Sequence, residues 1–361
     1  MIRKLIKILE NNNNEVVRND IIEYSKTWIP ELYKALEIEH ENPHHHETIG
    51  NHMLSVLFNV RNEIKNINMG NKESLELQIA ALLHDIGKPN CKKYDKKAKK
   101  YRYIGHDVES AKLAFNILKF ISEIDEDNAH ISIDNIIELI ILHMTIHDKC
   151  DDASILFRLE PYRRRELLIL MKADIDAHVS PNYEKYNRVI NVYNSLHLKE
   201  KDICEYWNLE EEMKIEQDSK LSIINVGVSR SGKSTISNIL LGGFIKISAD
   251  DIRKRYFNVK FDSSIEEKVW DIHKSLLRNI SGTNKNIVID NTNLTVKVRK
   301  KHLSILKKEN YSTIFFFYRV GISTLIRRAD KDGISKDVIF NMYKALQYPV
   351  EDMENVYIIR G

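Results

Sequence analysis

The sequence predicts two domains, an all-α domain followed by an α/β domain with a parallel sheet, on three observations. The 361 residues exceed what one hydrophobic core normally organises. Up to about residue 209, apolar residues recur at three- and four-residue steps and glycine and proline are sparse, which is the pattern of amphipathic helices. From residue 221 onward, short apolar runs alternate with helical patterns, the signature of βα units on a parallel sheet. A charged stretch, residues 210–220, separates the two patterns and puts the domains at 1–215 and 216–361.

In the helical half the strong segments are 49–64, 75–86, 110–121, 133–147 and 164–178. Each brings a histidine or carboxylate to a place where a core residue is expected. His52 lines up with Ile49, Met53, Val56 and Val60, and His84-Asp85 ends the run Ile79-Ala80-Ala81-Leu82-Leu83. His106 opens the helix that begins near Asp107. His143 shares a face with Ile136, Ile140, Met144 and His147, and Asp174 with Leu167, Leu170 and Met171. Buried carboxylates and imidazoles are costly unless paired or bound to metal. One apolar-face histidine is normally a satisfied core residue; five such positions on separate segments are a set that helices can converge on one cation. Imidazole with carboxylate suits Mn2+, Fe2+, Co2+, Ni2+ or Zn2+ better than Ca2+. The run His44, His45 and His46 reads as a solvated polar loop. Residues 92–103 read as a lysine-rich loop with tyrosines, suited to a solvated surface or to backbone contact plus base stacking.

In the second half, residues 221–226, 244–248, 287–289 and 314–318 read as buried strands. Between the first strand and a helical pattern lies Gly227-Val228-Ser229-Arg230-Ser231-Gly232-Lys233-Ser234-Thr235. Strand, G-x-x-x-x-G-K-S, helix is the context of a phosphate loop. Its glycines admit backbone angles that let successive N–H groups curl around an anion at a helix start. Lys233 would reach the β- and γ-phosphates and Ser234 would ligate Mg2+, so Gly227, Ser229, Arg230, Ser231, Gly232, Lys233, Ser234 and Thr235 form the expected nucleotide-binding set. At the end of the second strand, Asp250 is placed to accept a hydroxyl proton facing the γ-phosphate. Arg253, one turn on, is placed to fork onto an acceptor phosphate. The third strand delivers Asp290-Asn291-Thr292-Asn293-Leu294 to its end.

The composition narrows the class. A net charge of +3 and 43% hydrophobic residues are ordinary for a globular chain and neither demand nor exclude nucleic acid. Cys91, Cys150 and Cys204 are widely spaced and form no C-x-x-C pair, which suits a reducing compartment. The basic start runs into Glu10 and four asparagines and lacks the apolar core of a signal peptide. The longest apolar runs are too short to span a bilayer. A cytoplasmic location with no membrane partner is the expectation.

His52, His84-Asp85 and Asp174, with Ala-Leu-Leu-His-Asp-Ile-Gly-Lys-Pro at 81–89, resemble the HD metallo-phosphohydrolase superfamily. Through Tyr103-Ile104-Gly105-His106-Asp107, Leu142-His143-Met144 and Lys172-Ala173-Asp174 the likeness extends to HD modules attached to bacterial tRNA nucleotidyltransferases. The resemblance implies that His52, His84, Asp85 and Asp174 hold one metal, that His106 and His143 add a second, and that Lys88 touches the phosphate. A two-metal site would clamp a phosphoester and activate water. The phosphate loop, Asp250-Asp251-Ile252-Arg253 and Asp290-Asn291-Thr292-Asn293-Leu294 together resemble the 5′-hydroxyl polynucleotide kinases. That resemblance implies Asp250 as general base, Arg253 as the contact to an acceptor phosphate, Asn293 as a polar positioning residue, and a lid over the triphosphate. The expected lid is 325–334, with Arg328 as its catalytic cation and Lys331 as the alternative. Asp332 departs from the pattern, standing before Gly333 where such kinases commonly carry an arginine.

The order of the two modules is similar to the bacterial HD–polynucleotide kinase family of RNA end-healing enzymes. It implies ATP or another nucleoside triphosphate with Mg2+, one or two divalent transition metals, and RNA or DNA ends bearing 5′-hydroxyls and 2′,3′-cyclic phosphates. It also implies a ligase acting alongside. Two other readings stay open: a small-molecule or nucleotide kinase fused to a nucleotide phosphohydrolase, and a non-catalytic, triphosphate-gated RNA-binding switch.

Overall fold

The computed structural model describes residues 1–41, 47–124, 131–147, 151–196, 200–202 and 220–361. The chain divides into two compact units, Met1–Ser195 and Leu196–Gly361. The boundary expected at residue 215 and the run His44, His45 and His46 lie outside the described residues.

The first unit is built of α1 (Ile2–Leu9), α2 (Asn14–Trp28), α3 (Pro30–Ala35), α4 (Ile49–Lys65), α5 (Asn71–Leu83) and α6 (Lys88–Cys91). The hairpin β1 (Lys93–Asp95) and β2 (Lys100–Arg102) follows. Then come α7 (His106–Ile124), α8 (Ile133–Leu142), α9 (Asp152–Leu156), α10 (Arg164–Asp176) and α11 (Glu184–Ser195). Side chains of Asn13, Thr48, Ser132 and Asp151 accept hydrogen bonds from the first-turn amides of α2, α4, α8 and α9, satisfying donors a helix start leaves over. Met53, Leu57, Leu82, Ile140 and Leu170, from α4, α5, α8 and α10, are buried in its core. Inside that core Arg163 donates to Glu76 at 3.0 Å and pairs with Glu166 at 2.9 Å, while Glu76 also accepts the Ser132 amide and the Asn135 side chain. One guanidinium thus ties α5, α8 and α10 together.

Two local outcomes differ from the sequence expectation. The helices expected to run through residues 86 and 147 end at Leu83 and Leu142. The stretch 92–103, read as a loop, contains an antiparallel hairpin with Tyr94 opposite Tyr101. Asp95 explains the turn: its Oδ1 accepts the Lys97 and Ala98 amides at 2.9 and 3.0 Å, and Lys99 closes it at a φ of 50°.

The second unit is a six-stranded, wholly parallel sheet in the order β3-β8-β7-β4-β6-β5. Its strands are β3 (Lys201–Asp202), β4 (Lys220–Val226), β5 (Ile245–Ile247), β6 (Ile287–Ile289), β7 (Tyr311–Arg319) and β8 (Val356–Arg360). The crossovers contain α12 (Lys233–Leu240), α13 (Ala249–Ile252), α14 (Glu266–Ser281), α15 (Val296–Leu306), α16 (Ile322–Asp330) and α17 (Lys336–Ala345). β4 and β6 are buried along nearly their whole length, as strands covered on both faces must be. From β4 the chain passes to β6 and β5 on one side and to β7 and β8 on the other, which makes its carboxyl end a topological switch point. The four strands expected from the sequence are present. β3 and β8 are additions, and Glu200 secures that edge through two hydrogen bonds from Arg319 at 2.8 and 3.0 Å.

Candidate functional site

In the first unit, His52 comes from the first turn of α4, His84 and Asp85 follow the last residue of α5, and Asp174 lies in the last turn of α10. One ligand atom from each lies within 4.8 Å of the others. Asp85, His106 at the start of α7 and His143 just past α8 form a second set within the same limit. Asp85 divides its two oxygens between the sets. Oδ2 is 3.4 Å from His52 Nε2 and 3.2 Å from His84 Nε2, and Oδ1 is 3.1 Å from His106 Nε2 and 3.7 Å from His143 Nε2. On the far side of the first set, Asp174 Oδ1 is 3.0 Å from His52 Nε2 and 3.7 Å from His84 Nε2.

The backbone aims these rings. Nδ1–H of His84, His106 and His143 donates to the carbonyls of Ala81, Tyr103 and Ile140 at 2.8, 2.6 and 2.6 Å. Ala81 and Ile140 carry two of the carbonyls that a helix end leaves unpaired, so leaving the helix at His84 and His143 satisfies the backbone and fixes the tautomer together. The Nε2 atoms of all three are buried without a hydrogen-bond partner, as is Asp85 Oδ1. Such orphaned, convergent donors fit a bound cation. Burial would raise the Asp85 and Asp174 carboxyls, but the surrounding imidazoles, with Lys88 beside Asp85, hold both well below the usual range. Burial would lower His84, yet Asp85 and Asp174 outweigh it and lift it to about 10. His143, where burial dominates, is lowered. A cation would replace the proton that the carboxylates hold on His84.

Lys88 Nζ stands 2.5 Å from Asp85 Oδ2. Two further histidines were not singled out by the sequence. His40 is buried with its ring 5.3 Å from His52. His178 stacks on His52 at 6.0 Å, with Nε2 3.9 Å from Asp174 Oδ1. The four-residue step from Asp174 to His178 was a usable signal; His40 offered none.

In the second unit the phosphate loop follows β4 directly. A Cβ on Gly227 would sit 2.8 Å from Tyr318 Cβ and 2.7 Å from Ser231 Oγ, so the close approach there needs glycine. Gly232 has a φ of 96° at the start of α12. Lys233 Nζ donates to the Val228 carbonyl at 2.7 Å, and burial lowers it to about 8 although Asp290 and Asp250 raise it. Ser234 and Thr235 are exposed at the first turn of α12. Asn225, a residue the sequence reading passed over, stands buried in β4 and donates to Ser237 Oγ at 2.8 Å and Asp290 Oδ1 at 3.0 Å.

Asp250 follows β5 with its side chain 87% exposed, and Arg253 Nη1 donates to it at 2.5 Å. The rest of the Arg253 fork is bound to Glu266, Nε and Nη2 donating at 2.7 and 2.8 Å. Asn293 lies buried behind this edge. Its Nδ2 donates to the Asn225 carbonyl at 2.7 Å, pinning the loop after β6 to the end of β4. In the lid segment Arg328 Nη1 donates to the Arg230 carbonyl at 3.2 Å, whereas Arg327 and Lys331 are exposed. Asp332 pairs with Arg230 Nε at 3.2 Å.

The helical unit thus gathers two linked sets of metal-type ligands, and the parallel α/β unit carries a phosphate loop at its switch point. Residues 31–177 match the HD domain family and residues 223–332 the AAA domain family. The chain therefore carries an HD-type region in its helical unit and a P-loop region of the AAA type in its α/β unit. It is 30% identical over 87 residues to a CC-adding tRNA nucleotidyltransferase of Thermus thermophilus, a match covering 24% of this chain and 18% of that protein. Among solved structures, a chain of the Pnkp1/Rnl/Hen1 RNA repair complex is 19% identical with a TM-score of 0.33, covering 37% of this chain and 46% of that one. The chain thus spans less than half the length of either relative. A gluconokinase from Sinorhizobium meliloti 1021 is 18% identical with a TM-score of 0.29, covering 39% and 82%. Among the described residues no helix is long and apolar enough to cross a membrane.

Proposed function

We propose that this chain heals RNA ends, phosphorylating 5′-hydroxyls in its P-loop domain and hydrolysing 2′,3′-cyclic phosphates in its HD domain. The observation that carries the reading is the co-occurrence in one chain of a phosphate loop with Asp250 in the field of Lys233 and a binuclear set of ligands sharing Asp85. Those are the two chemistries that the ends of a cut strand require. In the kinase half, Gly227, Ser229, Arg230, Ser231, Gly232, Lys233, Ser234 and Thr235 cradle the triphosphate, with Mg2+ at Ser234. Asp250 takes the proton of the acceptor hydroxyl, whose oxygen attacks the γ-phosphorus as the bond to the β–γ bridging oxygen breaks. Arg328, already on the loop, balances the charge that moves to that oxygen. In the hydrolase half, His52, His84, Asp85 and Asp174 would hold one divalent transition metal and Asp85, His106 and His143 would hold a second. Bound there, the pair would clamp a phosphoester and acidify water. Lys88 supplies a fixed positive charge at Asp85 for a phosphate oxygen.

An oligoribonucleotide carrying both a 5′-hydroxyl and a 2′,3′-cyclic phosphate tests both halves at once by mass spectrometry. Asp85→Ala is expected to abolish opening of the cyclic end and spare 5′-phosphorylation, and Asp250→Ala to do the reverse. If the unaltered protein modifies neither end with Mg2+, Mn2+, Co2+, Ni2+ or Zn2+ present, the proposal fails.

A second reading, a kinase for a small hydroxyl compound, draws on one observation: the Arg253 fork is already shared between Glu266 and Asp250. In that case Arg253 serves to orient Asp250 and not to grip an acceptor phosphate. Comparing a nucleoside 3′-phosphate with the bare nucleoside separates the two, because only the first reading makes Arg253→Ala erase the preference for the phosphate.

A further inference from the structure

Residues 92–102 hold six lysines and Arg102 against a single carboxylate, Asp95. Their net charge of +6 is twice the +3 of the entire chain, so all other residues together are net acidic. Asp95 is spent within the hairpin, on the Lys97 and Ala98 amides and on Arg102 Nε at 2.8 Å. Lys93, Lys96, Lys97 and Lys99 are exposed. Tyr94 is 53% exposed and stands opposite Tyr101, their ring centroids 5.2 Å apart at an interplanar angle of 66°. Lys92 Nζ caps the Tyr101 ring at 4.8 Å.

The hairpin grows out of the metal-type cluster. Lys92 follows α6, which begins at Lys88, and Tyr103 follows β2. The Tyr103 carbonyl accepts His106 Nδ1–H, and its ring lies 5.8 Å from Lys88 Nζ. Each strand has three residues, a length of about 10 Å, so a strand of nucleic acid lying on the hairpin is led to Lys88 and Asp85 at its root.

We propose that β1–β2 is an arm for single-stranded RNA, which delivers the strand end to the HD site. Lysines alone would attract any polyanion. The exposed Tyr94 ring, backed by the half-buried Tyr101, selects one with unpaired bases, since stacking needs an open π-face. Lys93, Lys96, Lys97 and Lys99 hold phosphates, and Tyr94 stacks a base with Tyr101 and Lys92 fixing its plane. This inference rests on the hydrolase half of the proposed function and names how its substrate is gripped.

Fluorescence anisotropy of the full chain with a labelled decauridylate, repeated across salt concentrations, tests it. Replacing Lys96, Lys97 and Lys99 together by alanine is expected to make the log–log salt slope shallower by about 2, at roughly 0.7 for each phosphate no longer neutralised. Tyr94→Ala is expected to weaken binding about tenfold with the slope unchanged. Both should raise KM for the cyclic end of an oligonucleotide and leave hydrolysis of a 2′,3′-cyclic mononucleotide, which is too small to engage the arm, as it was. Unchanged affinity and slope would overturn the inference. So would an equal loss on the mononucleotide, which would mark a structural role, or a blunt RNA duplex competing as well as a single strand. If the unaltered chain opens no cyclic phosphate yet shows arm-dependent RNA binding, the arm stands and the phosphoesterase reading falls. Hydrolysis with arm-independent binding overturns the arm and leaves the phosphoesterase reading in place.

Discussion

Asp332→Asn is expected to tighten nucleoside triphosphate binding, although Asp332 lies outside the phosphate loop. Arg230 belongs to the phosphate loop, and its Nε lies 3.2 Å from the Asp332 carboxylate. A triphosphate on the loop competes with that carboxylate for one guanidinium. At 3.2 Å two unit charges attract by about 1.3 kcal/mol at the dielectric of water. Holding two long side chains together offsets part of this, and measured exposed pairs fall at about 0.2–1 kcal/mol. Both partners are more than two-fifths exposed, so the lower scale applies. Removing the competitor should then lower Kd for Mg-nucleotide by a factor between roughly 1.4 and 5. The gain should shrink at 0.5 M salt, where the Debye length is roughly half its value at 0.1 M. Calorimetric titration of the unaltered chain, Asp332→Asn, Arg230→Ala and the double variant closes the cycle. The reasoning requires the gain to vanish in the Arg230→Ala background. Weaker binding by Asp332→Asn, or the same gain without Arg230, would refute it.

Three further outcomes are expected. Metal analysis after reconstitution should give two equivalents for the unaltered chain, about one for His106→Ala and His143→Ala, and fewer than one for Asp85→Ala, because only Asp85 belongs to both donor sets. Burial lowers His273 to about 4 and His302 to about 3, and Asn291 Nδ2 donates to His273 Nε2 at 2.8 Å, which holds that ring neutral. With both folded values depressed below the unfolded 6.5, the unfolded chain binds more protons, so stability is complete above pH 6.5 and is lost as pH falls toward 4 and 3. By pH 5 each ring costs on the order of 2 kcal/mol, and His302→Leu should make the fall in unfolding midpoint between pH 7 and pH 5 smaller. Arg299 is fully buried, donating to the carbonyls of Asn293, Leu294, Gln347 and Tyr348 and to both oxygens of Glu351. Arg299→Ala leaves that carboxylate buried and alone, a loss of about 3–5 kcal/mol in denaturant unfolding.

The candidate ligands were legible because a histidine or carboxylate recurs on five helical segments where a core residue is expected, whereas their division into two sets came from the family resemblance. The five strong helical segments and the strands β4 to β7 were legible because the apolar spacing of each runs through its length. Helix ends were not. Ile86 and Ile146 continue the apolar pattern past His84 and His143, so hydrophobic spacing extends both helices beyond the points where the chain leaves them. That departure turns each ring onto a free carbonyl and aims its Nε2, and no count of apolar residues reports it. The hairpin was hidden because three-residue strands rich in lysine present too short an alternation to register. β3 was missed because it is two residues long.

The segment 325–334 shows a different limit. Asp332 reads as a lost cation when that position is compared alone. In the structure it faces Arg230, which sits in the phosphate loop at a φ of 69°, while Arg328 of α16 donates to the Arg230 carbonyl. The positive charge is present at the same junction but carried by the opposite element. A residue type is written in the sequence; the element that presents its charge is settled only by the pairing of side chains far apart along the chain, here 102 residues. Arg253 makes the same point from the acceptor side. Its identity and place after Asp250 were legible, but Glu266, thirteen residues on, takes two of its guanidinium nitrogens and the third donates to Asp250.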